Sequence, residues 1–295
     1  MEYKKIKIPN IHTDFNSHSR LSELFRQLLS IQRATTVYLD FSECSFIASN
    51  QFAIIGCIFD TYKMTHPNAK MYYMNLGRDI KRTIQTNGFH RYMRLESRPD
   101  TDSTTIPFRV FGINQISQFE KYILMGIFDR KDIPKMSGMV REKIIDNILE
   151  IFNNVKEHTN SKRIYTCGQY FPKKNLLYFT IVDYGETIPY NVNKYCKKNN
   201  ISLPENHLAW AIMPGNTTRL ATTPGGLGLS LIQEFIDLNN GELYIVSGNE
   251  TYEKYGDKEI QRNMKNPFPG TIVTVAINLS DKSTYCFTSE TEIVF

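Results

Sequence analysis

Residues 139–158 read MVREKIIDNILEIFNNVKEH, and how this stretch is read decides the second half of the chain. Ile145, Ile148, Phe152 and Val155 recur at helical spacing, which predicts a long amphipathic helix with one face buried against a sheet. Glu150, Asn154 and His158 stand at i, i+4 and i+8. At roughly 100° per residue they form a polar stripe about 80° wide on the other side. A carboxylate and a carboxamide one turn apart can serve a metal-bound phosphate: the amide oxygen suits Mg²⁺, and the carboxylate can orient or deprotonate a nucleophile. The same stripe, taken alone, is also what a solvated helix face looks like.

Two strands are predicted after this helix, RIYTCGQYF (163–171) and LLYFTIVDY (176–184), joined by PKKN as a hairpin turn. Residues 185–224 read as irregular, with one helix near ENHLAWAIM. A further helix runs through LGLSLIQEFIDL (227–238) to Asn239-Asn240-Gly241. ELYIVS and GTIVTVAINL are strands, separated by NETYEKYGDKEIQRNMKNPFP (249–269), which reads as a polar insertion. This half is α+β, an antiparallel or mixed sheet backed by helices.

Before it, strands KKIKIP, TVYLDF and KMYYMNL alternate with helices at LSELFRQLLSI, FAIIGCIFDTY and RDIKRTIQTNGF. That alternation predicts an α/β unit with a mostly parallel sheet. Residues 96–106, ESRPDTDSTTI, are polar and aperiodic, and residues 107–135 carry one helix around FEKYILMGIF. The expected organisation is an α/β domain over 1–97, a linker and connector helix over 98–136, and an α+β domain over 137–295.

Composition narrows the class. The chain has 295 residues, 41% apolar and 22% charged, with a net charge of +5. No apolar run reaches the ~18 residues of a membrane-spanning helix. MEYKKIKIPNIHTDF lacks the apolar core of a secretory signal, so a cytoplasmic protein with no membrane partner is expected. The five cysteines are scattered, with no C-x-x-C pair, which excludes a disulfide framework or a zinc site as the expectation. No basic-aromatic cluster stands out along the chain, so nucleic acid is not expected as a partner.

Residues 224–232, PGGLGLSLI, are ambiguous alone. Leu231 replaces the third glycine of a dinucleotide fingerprint, and no Lys-Ser/Thr follows as in a Walker loop. Glycines opening a helix can bring backbone N–H groups to an anion, or can simply form a turn. Asp183-Tyr184-Gly185 at a strand end can accept from an exocyclic amine, or can be a β-turn.

The order is more specific than the parts: EIFNN, VDYGETIP, NTTR, PGGLGLSLI and PGTIVTV, in that sequence. With these, residues 137–280 resemble the GHKL ATP-binding family of DNA gyrase and the histidine kinases, closest to its anti-sigma-factor serine-kinase branch. The resemblance implies a Bergerat-type sandwich of a mixed sheet backed by helices, with ATP and Mg²⁺ as ligands. Asn154 would hold Mg²⁺, and Glu150 would be the catalytic carboxylate. His158 falls where the family often has a histidine. Asp183, helped by Thr271, would accept from the adenine amine, and Gly185 would let the backbone pass the base. Gly225, Gly226, Leu227 and Gly228 would meet the phosphates. Residues 190–224 would form a lid, with Asn216, Thr217, Thr218 and Arg219 as phosphate contacts. Thr187 stands where the family's D-x-G-x-G has its second glycine.

TVYLDFSECSFIASNQFAIIG likewise resembles the STAS fold of anti-anti-sigma factors. Where phosphorylated members read D-S-S-G, this chain reads ASNQ (48–51), with Asn50 at the usual acceptor and Ser49 placed as a helix N-cap. That departure favours a docking or regulatory module over a kinase substrate. Together the resemblances imply an ATP-binding regulator, an ATPase or a serine/threonine kinase, whose partner is a STAS-like or other regulatory protein. Homodimer formation is a further implication. The alternative is a scaffold that binds ATP or ADP without turnover. Histidine autokinase activity is not expected.

Overall fold

The computed structural model describes residues 3–31, 36–213, 215–216 and 228–287, apart from the side chains at 158, 230 and 231. The chain is a mixed α/β fold. In order it forms β1 (Tyr3–Lys7), α1 (Phe15–Leu29), β2 (Thr36–Asp40), α2 (Phe52–Thr65), β3 (Lys70–Met74), α3 (Arg78–Thr86) and α4 (His90–Met93). Then come β4 (Thr105–Gly112), α5 (Ile116–Ile123), β5 (Lys135–Met136), α6 (Gly138–His158), β6 (Arg163–Phe171) and β7 (Leu176–Tyr184). The remainder is α7 (Ile188–Asn199), α8 (His207–Ile212), α9 (Gly228–Leu238), β8 (Glu242–Tyr255), β9 (Lys258–Asn278) and β10 (Thr284–Tyr285).

β1, β2 and β3 form a parallel sheet in that order. A second sheet has the order β4-β6-β7-β9-β8, and every neighbouring pair in it is antiparallel. Of the antiparallel or mixed sheet expected for the second half, the antiparallel one forms, which corrects the mixed sheet that the resemblance implies. The short connections of β6 to β7 and β8 to β9 are hairpins, which permit only antiparallel pairing. β10 returns to pair with β5 beside the start of α6.

The two halves share a core. Leu21, Phe25, Phe52 and Ile58 of α1 and α2 lie in one buried cluster with Tyr165, Val182, Phe268 and Ile272 of the five-stranded sheet. Phe25 meets both Phe268 (5.7 Å) and Tyr184 (5.8 Å). The other face of that sheet, through Leu177, Phe179, Ile181, Ile245 and Val273, packs on α5, α6, α8 and α9. The layers therefore run three-stranded sheet, α1 and α2, five-stranded sheet, outer helices. Two-sided burial explains why FAIIGCIFDTY is apolar on all sides and why LLYFTIV is a continuous apolar run.

Ser49 and Asn50 sit in this shared core. Ser49 is 2% exposed, its N–H donates to Gln169 Oε1 (2.5 Å), and its hydroxyl accepts from Asn87 Nδ2 (3.1 Å). Asn50 Nδ2 donates to Thr180 Oγ1 on β7 (3.0 Å). Ser49 begins a 3₁₀ turn and makes no side-chain cap, so its expected N-cap role is replaced by a tie to β6.

Three segments differ from their sequence reading. Residues 98–136 contain β4, the edge strand of the five-stranded sheet, and α5, whose Phe119 packs on Phe152 of α6 at 4.9 Å. Pro107 is accommodated at a register shift in that edge strand. Residues 188–199 are helical rather than irregular. The polar insertion is a two-stranded arm, paired from Glu250↔Asn263 to Tyr255↔Lys258, with Gly256 at φ 53° in its turn. Among the described residues no helix is long and apolar enough to cross a membrane.

A shared core predicts one cooperative unfolding transition. Phe25→Ala should destabilise the whole chain by about 3–5 kcal/mol, seen in calorimetry as one peak moved to lower temperature. Two separate peaks, with only one displaced, would contradict the shared core.

Candidate functional site

The site is built where α6 ends over the ends of β7, β9 and β8. Ser137 caps α6 by accepting from Val140 N (3.2 Å), and Ile148, Phe152 and Val155 are buried as predicted while Ile145 is partly buried. Ile144 and Ile151 complete the buried face. Glu150 and Asn154 are half-buried beside that face, with Asn147 buried one turn before Glu150. Thr159 closes the helix, its hydroxyl donating to Val155 O (2.8 Å).

Asp183 stands one residue from the end of β7 and is 3% exposed. It is paired in register with Thr271 on β9, which in turn pairs with Ser247 on β8. Strand alternation places all three on the face that carries Ile181, Val273 and Ile245, toward the outer helices. Ser247 Oγ and Thr271 Oγ1 are 2.8 Å apart, and Ser247 Oγ accepts from Ile188 N (2.9 Å) at the start of α7. An apolar sheet face thus ends in a row of buried polar groups. Asp183 Oδ1 has no hydrogen-bond partner among the described residues. Burial pushes the carboxyl up to about 8, opposed by the nearby Thr159 hydroxyl. Near neutral pH such a group can accept from, or donate to, a ligand that reaches it.

Glycines let three segments close around it. A Cβ at Gly185 would fall 1.9 Å from Thr159 O, and one at Gly270 would fall 2.1 Å from Asp183 O. Glu186 N donates to Thr159 O (2.8 Å) and Gly185 N to Pro269 O (3.2 Å). Gly185 therefore has a reason inside the protein: it allows the β7 exit to touch the end of α6. Thr187 is the N-cap of α7, with φ −87° and Oγ1 accepting from Tyr190 N (3.3 Å). A negative φ needs no glycine, and a capping hydroxyl is useful there.

A brace that sequence reading missed holds α7 and α8. Glu250 Oε2 accepts from His207 N (2.9 Å) and Leu208 N (3.2 Å), while Oε1 contacts His207 Nδ1 (2.5 Å). His207 Nε2 meets Asn193 Oδ1 of α7 at 3.1 Å. Nothing local marks Glu250, 43 residues further along, as the partner of His207.

The structure brings Asp183, Gly185 and Thr271 together, and α9 packs on α6 starting from Gly228. Asn216 donates its side chain to Trp210 O (2.8 Å). Thr217, Thr218, Arg219, Gly225, Gly226 and Leu227 lie outside the described residues, as does the side chain of His158. Among the described residues no three His, Cys, Asp or Glu side chains converge as a metal cage. Asn154 suits a cation that brings phosphate and water oxygens with it.

No protein-family model and no curated protein sequence matches this chain.

The elevated Asp183 carboxyl sets a pH dependence. Its fold binds a proton up to about pH 8, whereas the unfolded chain releases it near 3.8. The folded state holds the extra proton between these values, so stability falls as pH rises through that window. Urea midpoints of wild type and Asp183→Asn should diverge toward pH 8, with a slope approaching about 1.4 kcal/mol per pH unit. Parallel pH curves would show that the carboxyl is not held protonated. Gly185→Ala should cost at least about 1–3 kcal/mol, because its methyl meets backbone rather than a movable side chain. An unchanged melting temperature would refute the close approach.

Proposed function

We propose that this chain is an ATP-binding regulator of the GHKL type joined to a STAS-like half. The observation that carries the reading is the orphaned Asp183 oxygen, buried at a strand end beside Thr271 and Ser247. An adenine offers the needed donor, its exocyclic amine, on a flat ring that suits an apolar sheet face. Asp183 would accept from that amine. Asn154 would hold Mg²⁺ carried on the phosphates, and Glu150 would orient or deprotonate the attacking group. ATP supplies a transferable γ-phosphoryl group, whose transfer depends mainly on positioning and charge neutralisation. Gly228 and the glycine-rich residues preceding it would provide backbone N–H groups for the phosphates.

Calorimetry with Mg·ATP tests the reading. Wild type should bind, and above about pH 8, where the carboxyl is ionised, Asp183→Asn should weaken binding by about tenfold or more, since a hydrogen bond to a charged acceptor contributes about 1.5–3 kcal/mol. No heat of binding with wild type would remove the proposal. Glu150→Ala should abolish ATP turnover and spare binding. Labelling of a protein from γ-labelled ATP selects a kinase, and phosphate release without labelling selects an ATPase.

A second reading, a scaffold that holds ATP or ADP without turnover, is favoured by one feature. Ser49 and Asn50, at the position of the STAS phospho-acceptor, are buried against β6 and β7. The STAS-like half is then a fixed structural partner of the sheet rather than its substrate. Clear ATP binding with no turnover above background would select this reading.

A further inference from the structure

The outer face of the three-stranded sheet is open among the described residues. All-parallel sheets are normally covered on both faces. Here Ile6, Val37, Leu39, Met71 and Tyr73 of one face join the core, while the other face bears tyrosines and lysines. Register places Tyr3, Thr36 and Lys70 in one row, Lys5, Tyr38 and Tyr72 in the next, and Lys7, Asp40 and Met74 in the third. The rings form a ladder: Tyr3 meets Tyr38 edge-on at 6.0 Å, and Tyr38 stacks on Tyr72 at 5.5 Å. Tyr3 is 69% and Tyr72 47% exposed, well beyond what packing requires.

The face is net positive: Lys5, Lys7 and Lys70 stand against Asp40 and Glu43, with Lys5 pairing Asp40 and Lys7 pairing Glu43. Asp40 is buried and tied to Lys5 (2.7 Å), Asn75 (2.7 Å) and Ser42 N (3.0 Å), so its carboxylate is already partnered on this face. Lys70 makes no ion pair with a described residue.

What covers such a face is constrained by its chemistry. A second copy would set two net positive faces against each other. Protein interfaces are enriched in tyrosine but depleted in lysine. Exposed rings interleaved with cations match a partner that carries both flat bases and phosphates. We infer that this face binds single-stranded nucleic acid, with Tyr3, Tyr38 and Tyr72 as the stacking platform and Lys5, Lys7 and Lys70 as phosphate contacts. The residues come from three strands spread over 70 positions, which is why no basic-aromatic cluster is visible along the sequence. The inference is independent of the ATP reading, since α1, α2 and the whole five-stranded sheet separate the two surfaces.

Fluorescence anisotropy on the full chain tests it, with labelled oligothymidine and oligouridine as probes and a duplex of equal length as control. The single strands should bind in preference to the duplex, and the stronger of the two identifies DNA or RNA. Excess ATP should not displace them. Tyr72→Ala should weaken binding by about tenfold, and Tyr72→Phe should restore it, because the ring and not the hydroxyl stacks. Lys70→Glu should weaken binding and flatten its salt dependence. With three phosphates neutralised, raising salt from about 50 to 200 mM should weaken the wild type roughly eighteenfold. Both positions are exposed, and unchanged melting curves establish that the variants fold. No binding by wild type, equal binding by Tyr72→Ala, or equal binding of the duplex overturns the inference. Full displacement by poly-glutamate would overturn it too, assigning the face to an acidic protein.

Discussion

Burial of the five-stranded sheet on both of its faces is the constraint from which the rest of the structure follows. Once α1 and α2 cover one face and α5, α6, α8 and α9 the other, every strand residue must satisfy a core. Polar groups inside must then be paired. Thr180 and Thr274, on adjacent strands, face each other with oxygens 2.8 Å apart, and Asn50 closes the chain of contacts from the 3₁₀ turn that precedes α2. Asp60 of α2 takes the Arg163 guanidinium (3.0 Å) together with the hydroxyls of Tyr165 and Tyr92. These pairings fix the register of the N-terminal half on the sheet, where apolar packing alone tolerates sliding. Asp183 Oδ1 is left unsatisfied, as are buried atoms such as Thr166 Oγ1, Tyr62 Oη and Glu253 Oε1, and its place beside Thr271 at the strand ends sets it apart from them.

That position is why the candidate site is placed at the strand ends. Apolar layers supply rigidity, and the row Asp183, Thr271 and Ser247 supplies a polar end to a dry surface. The backbone is drawn tight around it by two glycines that permit contact with carbonyl oxygens. Thr187 and the Glu250–His207 pair then set where α7 and α8 begin. Together these three supports hold the strand ends of the candidate site in place.

Elements with strong local signals were legible in the sequence. The α6 periodicity and the β6–β7 hairpin agree with the chain to within a residue, because amphipathic spacing and a turn tetrapeptide are local properties. β4 was hidden, since its partner lies over fifty residues away and its flanks are polar. The arm was hidden by its charges, which alternate along strands that leave the main sheet. α7 was read as irregular because IPYNVNKYCKKN carries few apolar residues, although Thr187 and Pro189 are a start signal in hindsight. Of the candidate site, Asp183 and Thr271 came from a resemblance. Ser247, Thr159 and the Glu250 brace depend on pairing between distant strands and left no trace in any short window. The all-round apolarity of α2 and the continuous apolar run of β7 are the sequence features that fit the stacking of the two halves.

The ends of the sheets bear on the protein's behaviour in concentrated solution. A sheet edge is a row of unpaired backbone groups that invites another chain, and it is commonly blunted by prolines, bulges, short strands or lysines. β4 carries Pro107 at a register shift, and β8 carries register shifts at Ser247–Gly248 and Gly248–Glu250. β1 and β3 are five residues each, with Lys4, Lys5 and Lys7 on one and Lys70 on the other. Among the described residues the four edges of these two larger sheets are thus guarded against strand addition, which disfavours edge-to-edge association there and leaves the faces for it.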